Sequence, residues 1–482
     1  MVVASNKAGV AATEQPGWSS RWAFILAAIG AAVGLGNVWR FPTLAGENGG
    51  GAFVIFYIGC VVLIGLPLVL SEILIGRAGR SDAVDSVRNI ARESGRSQGW
   101  AAFAWIEISA AFLILSFYSV VAGWVIYYAG VFGGDFFGTL LAGAPFAGAL
   151  AGEAPEAVQG RMTDLFANIP LLIAMHTMFM GITFIVIARG VHDGIEKAAM
   201  YLMPAFFVLL IAITIYGAFA GEFSRAVSFL FTPDFSKLTP AVMNTALGQA
   251  LFSLSLGSAA LMTYGAYVSR DTKLAPTAGM IALADTGVAI IAGLMIFPIV
   301  FAVGLDPAAG PTLVFQSLPI AFQQMPAGSL VGFLFFILIF FAALTSSISL
   351  LEAPTSWGIH ARGWSRFKSA TIFALGAYVL GLACLLSFSV WSDVRLLPFW
   401  SIFAESNIFD VIDGFTGKVM LPLAALLTAI FVGWKADRKL IAYETGLEGG
   451  MFAAWRFLVC WLAPIAVALI LIFGLFPGLL GG

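Results

Sequence analysis

The sequence predicts an all-α integral membrane protein of about eleven transmembrane helices, arranged as a five-plus-five inverted repeat with helices 1 and 6 broken. Three observations predict it. The first is composition: of 482 residues, 60% are hydrophobic and only 10% charged, with a mean hydropathy of +0.96, which a water-soluble domain of this size does not carry. The second is the spacing of apolar runs of about 20 residues, each long enough to span a bilayer. Eleven are centred near residues 33, 64, 116, 176, 208, 253, 290, 344, 378, 421 and 464. The third is a pair of glycine-interrupted stretches, "GAAVGLGNVWRFP" from Gly30 to Pro42 and "SLSLGSAA" from Ser253 to Ala260, lying five spans apart. An odd separation gives the two opposite orientations in the membrane, the mark of an inverted repeat with broken helices. Small residues that merely let helices pack closely are the other reading of either stretch alone.

In chain order, residues 1–20 lack the basic start, apolar core and cleavage site of a signal peptide and are expected to form a cytoplasmic segment. The first repeat is expected over 21–220, the second over 221–440, and an additional eleventh span over 441–482. Basic residues follow every even-numbered span: Arg77, Arg80, Arg88, Arg92 and Arg96 after the second, Arg189 and Lys197 after the fourth, Arg270 and Lys273 after the sixth. Arg362, Arg366 and Lys368 follow the eighth, and Lys435, Arg438 and Lys439 the tenth. By the positive-inside rule the N-terminus is cytoplasmic and the C-terminus outside, in a multi-pass protein of the inner (plasma) membrane. Asp135, Glu153, Glu156, Glu222, Asp234, Asp306 and Asp393 fall in the opposite loops, as the same rule expects.

Several function classes drop out. Basic residues are scattered and form no stripe for nucleic acid. Cys60, Cys384 and Cys460 are odd in number and sit in apolar runs, which argues against a disulfide framework or metal site. His176, His192 and His360 are dispersed, with no paired catalytic spacing, so no enzyme and no organic cofactor is expected.

Unwinding a helix in a bilayer exposes N–H and C=O groups that cost several kcal/mol each unless something binds them. Freed carbonyls suit a sodium ion, and the outer half-helix starting near Gly34 offers N–H groups to a carboxylate. A zwitterion travelling with sodium fits both.

The stretches "WSSRWAFILAAIGAAVGLGNVWRFPTLAGENGGGAF", "GQALFSLSLGSAALMTYGAYVSRD" and "FFAALTSSISLLE" resemble the neurotransmitter:sodium symporter family, and particularly its bacterial amino-acid members, typified by the leucine transporter. The resemblance runs from about Trp18 through the tenth span. It implies two sodium sites at the breaks and alternating access around a central amino acid. One sodium site, by resemblance, uses the carbonyls of Gly30, Val33 and Ala342 with the hydroxyls of Thr345 and Ser346. Ala342, Thr345 and Ser346 share one helical face, and an all-oxygen set suits a hard cation; the hydroxyls bonding back to their own helix is the alternative. The other site uses the Ala32 carbonyl, Asn37, Ser253 and Asp285, together with the substrate carboxylate. Asp285 stands where the family has an asparagine, and Ala289 near its chloride-linked position. A fixed negative charge there implies transport that does not require chloride, unless Asp285 lies near enough to the cytoplasm to be solvated.

The substrate pocket by resemblance comprises Ala31, Ala32, Gly34, Ile114, Tyr118, Phe252, Ser253, Ser255, Ser258, Ser346 and Leu350. Amine-carrying members have aspartate where Gly34 stands, so glycine implies a substrate with its own carboxylate. The apolar wall implies a hydrophobic amino acid. Ser258, where the leucine transporter has phenylalanine, is expected to leave room for a large, even aromatic, side chain. The outer gate is expected from Arg40 and Asp413, with Asp410 a nearby competitor, under a lid of Tyr118 and Phe252. Glu72 is expected to accept hydrogen bonds from the unwound backbone. At the inner gate Trp18 is kept, but the family's ion pair reads Gln15 and His360, a weaker hydrogen-bonding pair. His360 is then either a pH-sensitive element of the gate or an ordinary loop histidine, and the altered gate implies a transporter that is leakier or rests more often inward-facing. A membrane sensor or channel-like protein that binds the amino acid without concentrating it uses the same pocket and is the alternative function. The implied partners are the amino acid, sodium and the lipid bilayer.

Overall fold

The computed structural model describes residues 17–144, 146–308 and 313–480. Among the described residues all regular structure is helical. Nine helices among the described residues are long and apolar enough to cross a membrane: Gly51–Gly79, Gln98–Leu141, Ile169–Ala188, Val191–Ala220, Leu274–Ala302, Gly328–Arg362, Arg366–Leu386, Ile408–Lys435 and Gly449–Leu475. They correspond to expected spans 2, 3, 4, 5, 7, 8, 9, 10 and 11. A tenth is the bent pair Arg21–Ala32 and Gly36–Glu47, the broken first span, whose halves meet at 50°. The sixth expected span is built from two shorter pieces, Pro240–Ser253 and Ala260–Ala266, so by length and composition the count stops at ten.

Both breaks follow from the sequence. In the first span, Val33 turns extended (φ −72°, ψ 108°), and the chain resumes as a wide π-helical turn over Gly36–Arg40. In the sixth, Ser255 (φ 54°), Gly257 (φ 79°) and Ala259 (φ 58°) all take left-handed conformations. The position of Gly257 admits glycine alone, because a Cβ there would lie 2.6 Å from the Leu421 carbonyl oxygen. Ser255 and Ala259 bear the steric cost that L-residues meet in this region, about 1–2 kcal/mol each.

The two broken spans lie at the centre of the bundle. The third and eighth spans pack along each other, the second packs on Ala260–Ala266, and the fifth packs on the seventh. Short helices that the hydropathy reading left as loops also form, among them Ala83–Glu93, which Asp82 caps by accepting from the Val84 and Asp85 amides. All three cysteines are reduced and buried.

Candidate functional site

At the first break, most freed backbone groups meet a side chain from another span. The Gly30 and Val33 carbonyls accept from Ser346 Oγ at 3.3 and 3.2 Å. The Ala31 carbonyl accepts from Ser255 Oγ at 2.8 Å and the Gly36 carbonyl from Gln249 Nε2 at 2.8 Å. The Gly34 N–H donates to Asn37 Oδ1 at 3.0 Å, and the Leu35 N–H to the Tyr118 hydroxyl at 3.3 Å. Thr345 Oγ1 lies 3.1 Å from the Ala342 carbonyl oxygen. The structure therefore joins the Gly30 and Val33 carbonyls to Ser346 as an oxygen cluster where the first and eighth spans touch, while Thr345 Oγ1 bonds back to its own helix, to the Phe341 and Ala342 carbonyls.

A second cluster lies beside it. Asn37 Nδ2 donates to Ser253 Oγ (2.9 Å), to the Asp285 carbonyl (3.0 Å) and to Asp285 Oδ1 (2.7 Å), while Ser253 Oγ donates to Asp285 Oδ2 at 2.7 Å. The Tyr57 hydroxyl reaches Ser253 Oγ at 3.4 Å. Asp285 is fully buried, so the alternative of a solvated carboxylate near the cytoplasm does not hold.

Between the clusters is a cavity of about 40 Å³ lined by ten of the eleven residues expected of a substrate pocket. Ala31 is the exception and adjoins it through its carbonyl. Leu35, Gly36 and Leu421 line it as well and were not anticipated from the sequence. The volume is well below the roughly 150 Å³ that admits benzene, so in this conformation the room expected beside Ser258 is not open, and Leu421 closes on it. Gly34 is tightly placed: a Cβ there would lie 2.5 Å from Ser346 Oγ and 3.0 Å from the Tyr118 hydroxyl.

Beyond Phe252 opens a larger cavity of about 470 Å³ with an aromatic wall that includes Trp124, Phe166, Phe315 and Phe388. Arg40, Asp410 and Asp413 all line it. Arg40 and Asp413 form no direct ion pair among the described residues; the guanidinium instead stacks over the Phe252 ring at 4.3 Å. Phe252 is thus held from above by a cation–π contact.

On the other side, Trp18 is fixed by two hydrogen bonds, Nε1 to the Tyr264 carbonyl and its amide to the Tyr267 carbonyl, both 3.1 Å. Its ring meets Tyr264 edge-on at 5.3 Å. Gln15 lies outside the described residues. His360 Nδ1 pairs with the Ser356 carbonyl one turn earlier at 2.8 Å. Other contacts, not anticipated from the sequence, close this side. Ser19 donates through both its amide and its hydroxyl to Glu196, which His192 also contacts. Tyr267 donates to Glu352 at 2.8 Å, and Arg366 grips the same carboxylate with two bonds of 2.7 and 2.8 Å. The signal for Glu352 was present in the sequence: an acidic residue inside an apolar run is expensive and needs a partner. Glu72 accepts the Gly257 amide at 2.7 Å, at the position where the sixth span is unwound.

Comparison with known proteins places the chain. The model of the sodium:neurotransmitter symporter family matches residues 15–132 and 162–477. An uncharacterised sodium-dependent transporter of Bacillus subtilis is 34% identical over 94% of this chain and 96% of its own length. The sodium-dependent nutrient amino acid transporter 1 of Drosophila grimshawi is 24% identical over 96% of this chain and 76% of its own. Among solved structures, the crystal structure of MhsT in complex with L-phenylalanine superposes with a TM-score of 0.84 at 40% identity, covering 95% of this chain and 99% of that one.

Proposed function

The chain belongs to the sodium:neurotransmitter symporter family, and from that premise we propose that it imports a hydrophobic amino acid together with sodium, by alternating access and without a chloride requirement. Members of this family are sodium-coupled transporters and not enzymes. The observation that carries the reading is the convergence of two broken spans on one cavity. Its lining has no charged side chain, and two oxygen clusters flank it. The phenylalanine bound to the similar MhsT supports an apolar, even aromatic, substrate.

The residues divide the work by chemistry. Gly30, Val33, Ala342, Thr345 and Ser346 offer only oxygens, the donor set a hard cation takes. At the second cluster Asn37 directs its Nδ2 at Asp285 and Ser253. Rotating that amide by half a turn would present Oδ1 to a sodium ion instead, and would release the Gly34 N–H for the substrate's carboxylate. Asp285 supplies a built-in negative charge where a chloride would otherwise balance the cation. Phe252 and Tyr118 separate this site from the outer cavity under Arg40 and Asp413, while Trp18 and the Glu352–Arg366 pair seal the opposite side in this conformation. The N-terminal side of the first span faces the cytoplasm in this reading, residues 21–220 and 221–440 are the two repeats, and 441–482 is an addition.

Uptake of labelled phenylalanine, tryptophan and leucine into proteoliposomes, with and without an inward sodium gradient and in chloride or gluconate buffer, tests it. Accumulation that needs sodium and survives in gluconate is the expected result. Sodium-dependent binding without accumulation would replace the transport reading with a sensor, and flux that merely equilibrates would make the protein a channel. Accumulation lost in gluconate would remove the role given to Asp285.

A further inference from the structure

Away from the central cavity, the start of the third span and the end of the tenth leave an open groove of about 280 Å³ between them. Its lining is Ser97, Gly99, Trp100, Ala102, Phe103 and Leu427, small residues that make room and apolar ones that form the walls. The walls are fixed to each other: Trp100 and Phe103 both pack on Phe431 of the tenth span, with ring centroids 5.8 and 5.6 Å apart. Leu427 lies one helical turn before Phe431 and about two turns before Lys435, so the groove runs along the tenth span from its basic end towards the apolar interior of the membrane.

Two cations stand at that end. Lys435 Nζ lies over the Trp100 ring, 5.9 Å from its centroid, and Arg96 Nε donates to the Lys435 carbonyl at 3.3 Å. Neither side chain makes an ion pair among the described residues. The two terminal nitrogens of the Arg96 guanidinium and the donors of the Lys435 ammonium meet no protein acceptor there. Of the acids beside them in the chain, Glu93 is exposed, and Asp437 turns Oδ1 onto the Lys439 and Leu440 amides. Arg92, Arg438 and Lys439 keep the local balance of charge positive. Exposed Trp434 and Trp461, whose rings meet at 5.3 Å, mark the level of the membrane–water interface on this side, where such amphipathic rings settle.

We propose that this groove binds one anionic phospholipid, its phosphate between Arg96 and Lys435 and one acyl chain along Trp100, Phe103 and Leu427. A guanidinium with both terminal nitrogens open suits a phosphate, and a basic pocket between spans at the headgroup level suits an anionic lipid. A soluble anion would leave the apolar walls bare. A zwitterionic lipid would bring its own cation against two more. Assignment of this end to the cytoplasmic leaflet rests on the orientation proposed above; the binding itself rests on neither that orientation nor transport.

Native mass spectrometry of the purified, delipidated full-length protein tests this without a transport assay. The protein is titrated with phosphatidylglycerol, with phosphatidylethanolamine of the same acyl chains, and with glycerol phosphate. One molecule of phosphatidylglycerol should bind more tightly than any phosphatidylethanolamine, and glycerol phosphate should not be retained. R96Q and K435Q should each weaken that first binding step by about fivefold. A102W, which fills the groove and leaves both cations in place, should weaken it at least as much. Arg96 and Ala102 are exposed, so their variants keep the test open if K435Q, which also loses the Trp100 contact, does not fold. Equal binding of the two lipids would reduce the site to a plain apolar groove and overturn the proposal. Retention of glycerol phosphate as tight as that of the lipid would make it an anion site that uses no acyl chain, and unchanged binding in R96Q and A102W would put the lipid elsewhere; either result also overturns it.

Discussion

A methyl group at position 34 would collide with two hydroxyls at once, those of Ser346 and Tyr118, and this makes glycine a requirement of the cavity as well as a helix breaker. Gly34→Ala should therefore weaken sodium-dependent amino-acid binding by about tenfold or more, the equivalent of the ~1–3 kcal/mol that overpacking costs, as read by scintillation proximity with labelled substrate. Ser346→Ala removes the hydroxyl shared by the Gly30 and Val33 carbonyls and should raise the sodium concentration for half-maximal uptake several-fold while leaving the fold intact. Asp285→Asn removes the buried fixed charge. Its uptake should become dependent on added chloride, and uptake that is equal in gluconate and chloride would count against the proposed role. Gly34 was legible because its chemistry is local, a glycine at the break of an apolar span; Ser346 and Asp285 were reached through the resemblance. Leu421 was not, since nothing in its own neighbourhood says that it meets Gly257.

At the scale of elements, the two breaks were readable from glycines and small polar residues in apolar runs, yet the detail at the sixth span was not. There the left-handed residues include Ser255 and Ala259, which local propensity disfavours, and the segment is held by partners from other spans: Glu72 takes the Gly257 amide and the Ser255 hydroxyl donates to the Ala31 carbonyl. At the inner side, where the resemblance points to Gln15 and His360, a carboxylate not singled out from the sequence also acts: the buried Glu352 bridges the eighth and ninth spans through Arg366. Glu352→Ala would leave a guanidinium and the Tyr267 hydroxyl without their partner, a loss of about 3–5 kcal/mol for a buried pair. Sodium-driven accumulation should fall by at least about tenfold, and the E352A/R366A double variant should regain part of it, the coupling being measured by a double-mutant cycle. Outside the spans, burial beside Asp85 pushes the Asp82 carboxyl from its ordinary 3.8 up to about 6, against the pull of its own amide hydrogen bonds and of His360. Between about pH 4 and 6 the folded protein thus binds a proton that the unfolded chain does not. The contribution is full below that window and lost as pH rises through it. Asp82→Asn keeps the cap and should flatten the Tm difference between pH 5 and 7 relative to the wild type.

For the whole molecule, the helical class and its membrane setting follow from composition, and the family from three short stretches; the count of spans does not, because half of the sixth is only seven residues long. What no stretch of sequence displays is the asymmetry of the finished bundle: a cavity of about 470 Å³ on one side of Phe252 and about 40 Å³ on the other, with aromatic and ionic contacts packed tightly below. The three cysteines, scattered over the second, ninth and eleventh spans, share in that packing and are 0–6% exposed. Thiol reagents that stay in water should therefore find almost nothing to react with in the native protein. That silence makes the unmodified chain a ready background for site-directed labelling: a single cysteine introduced on the wall of the larger cavity would be the chief reactive thiol, and its rate of alkylation with and without sodium would time the opening and shutting of that side directly.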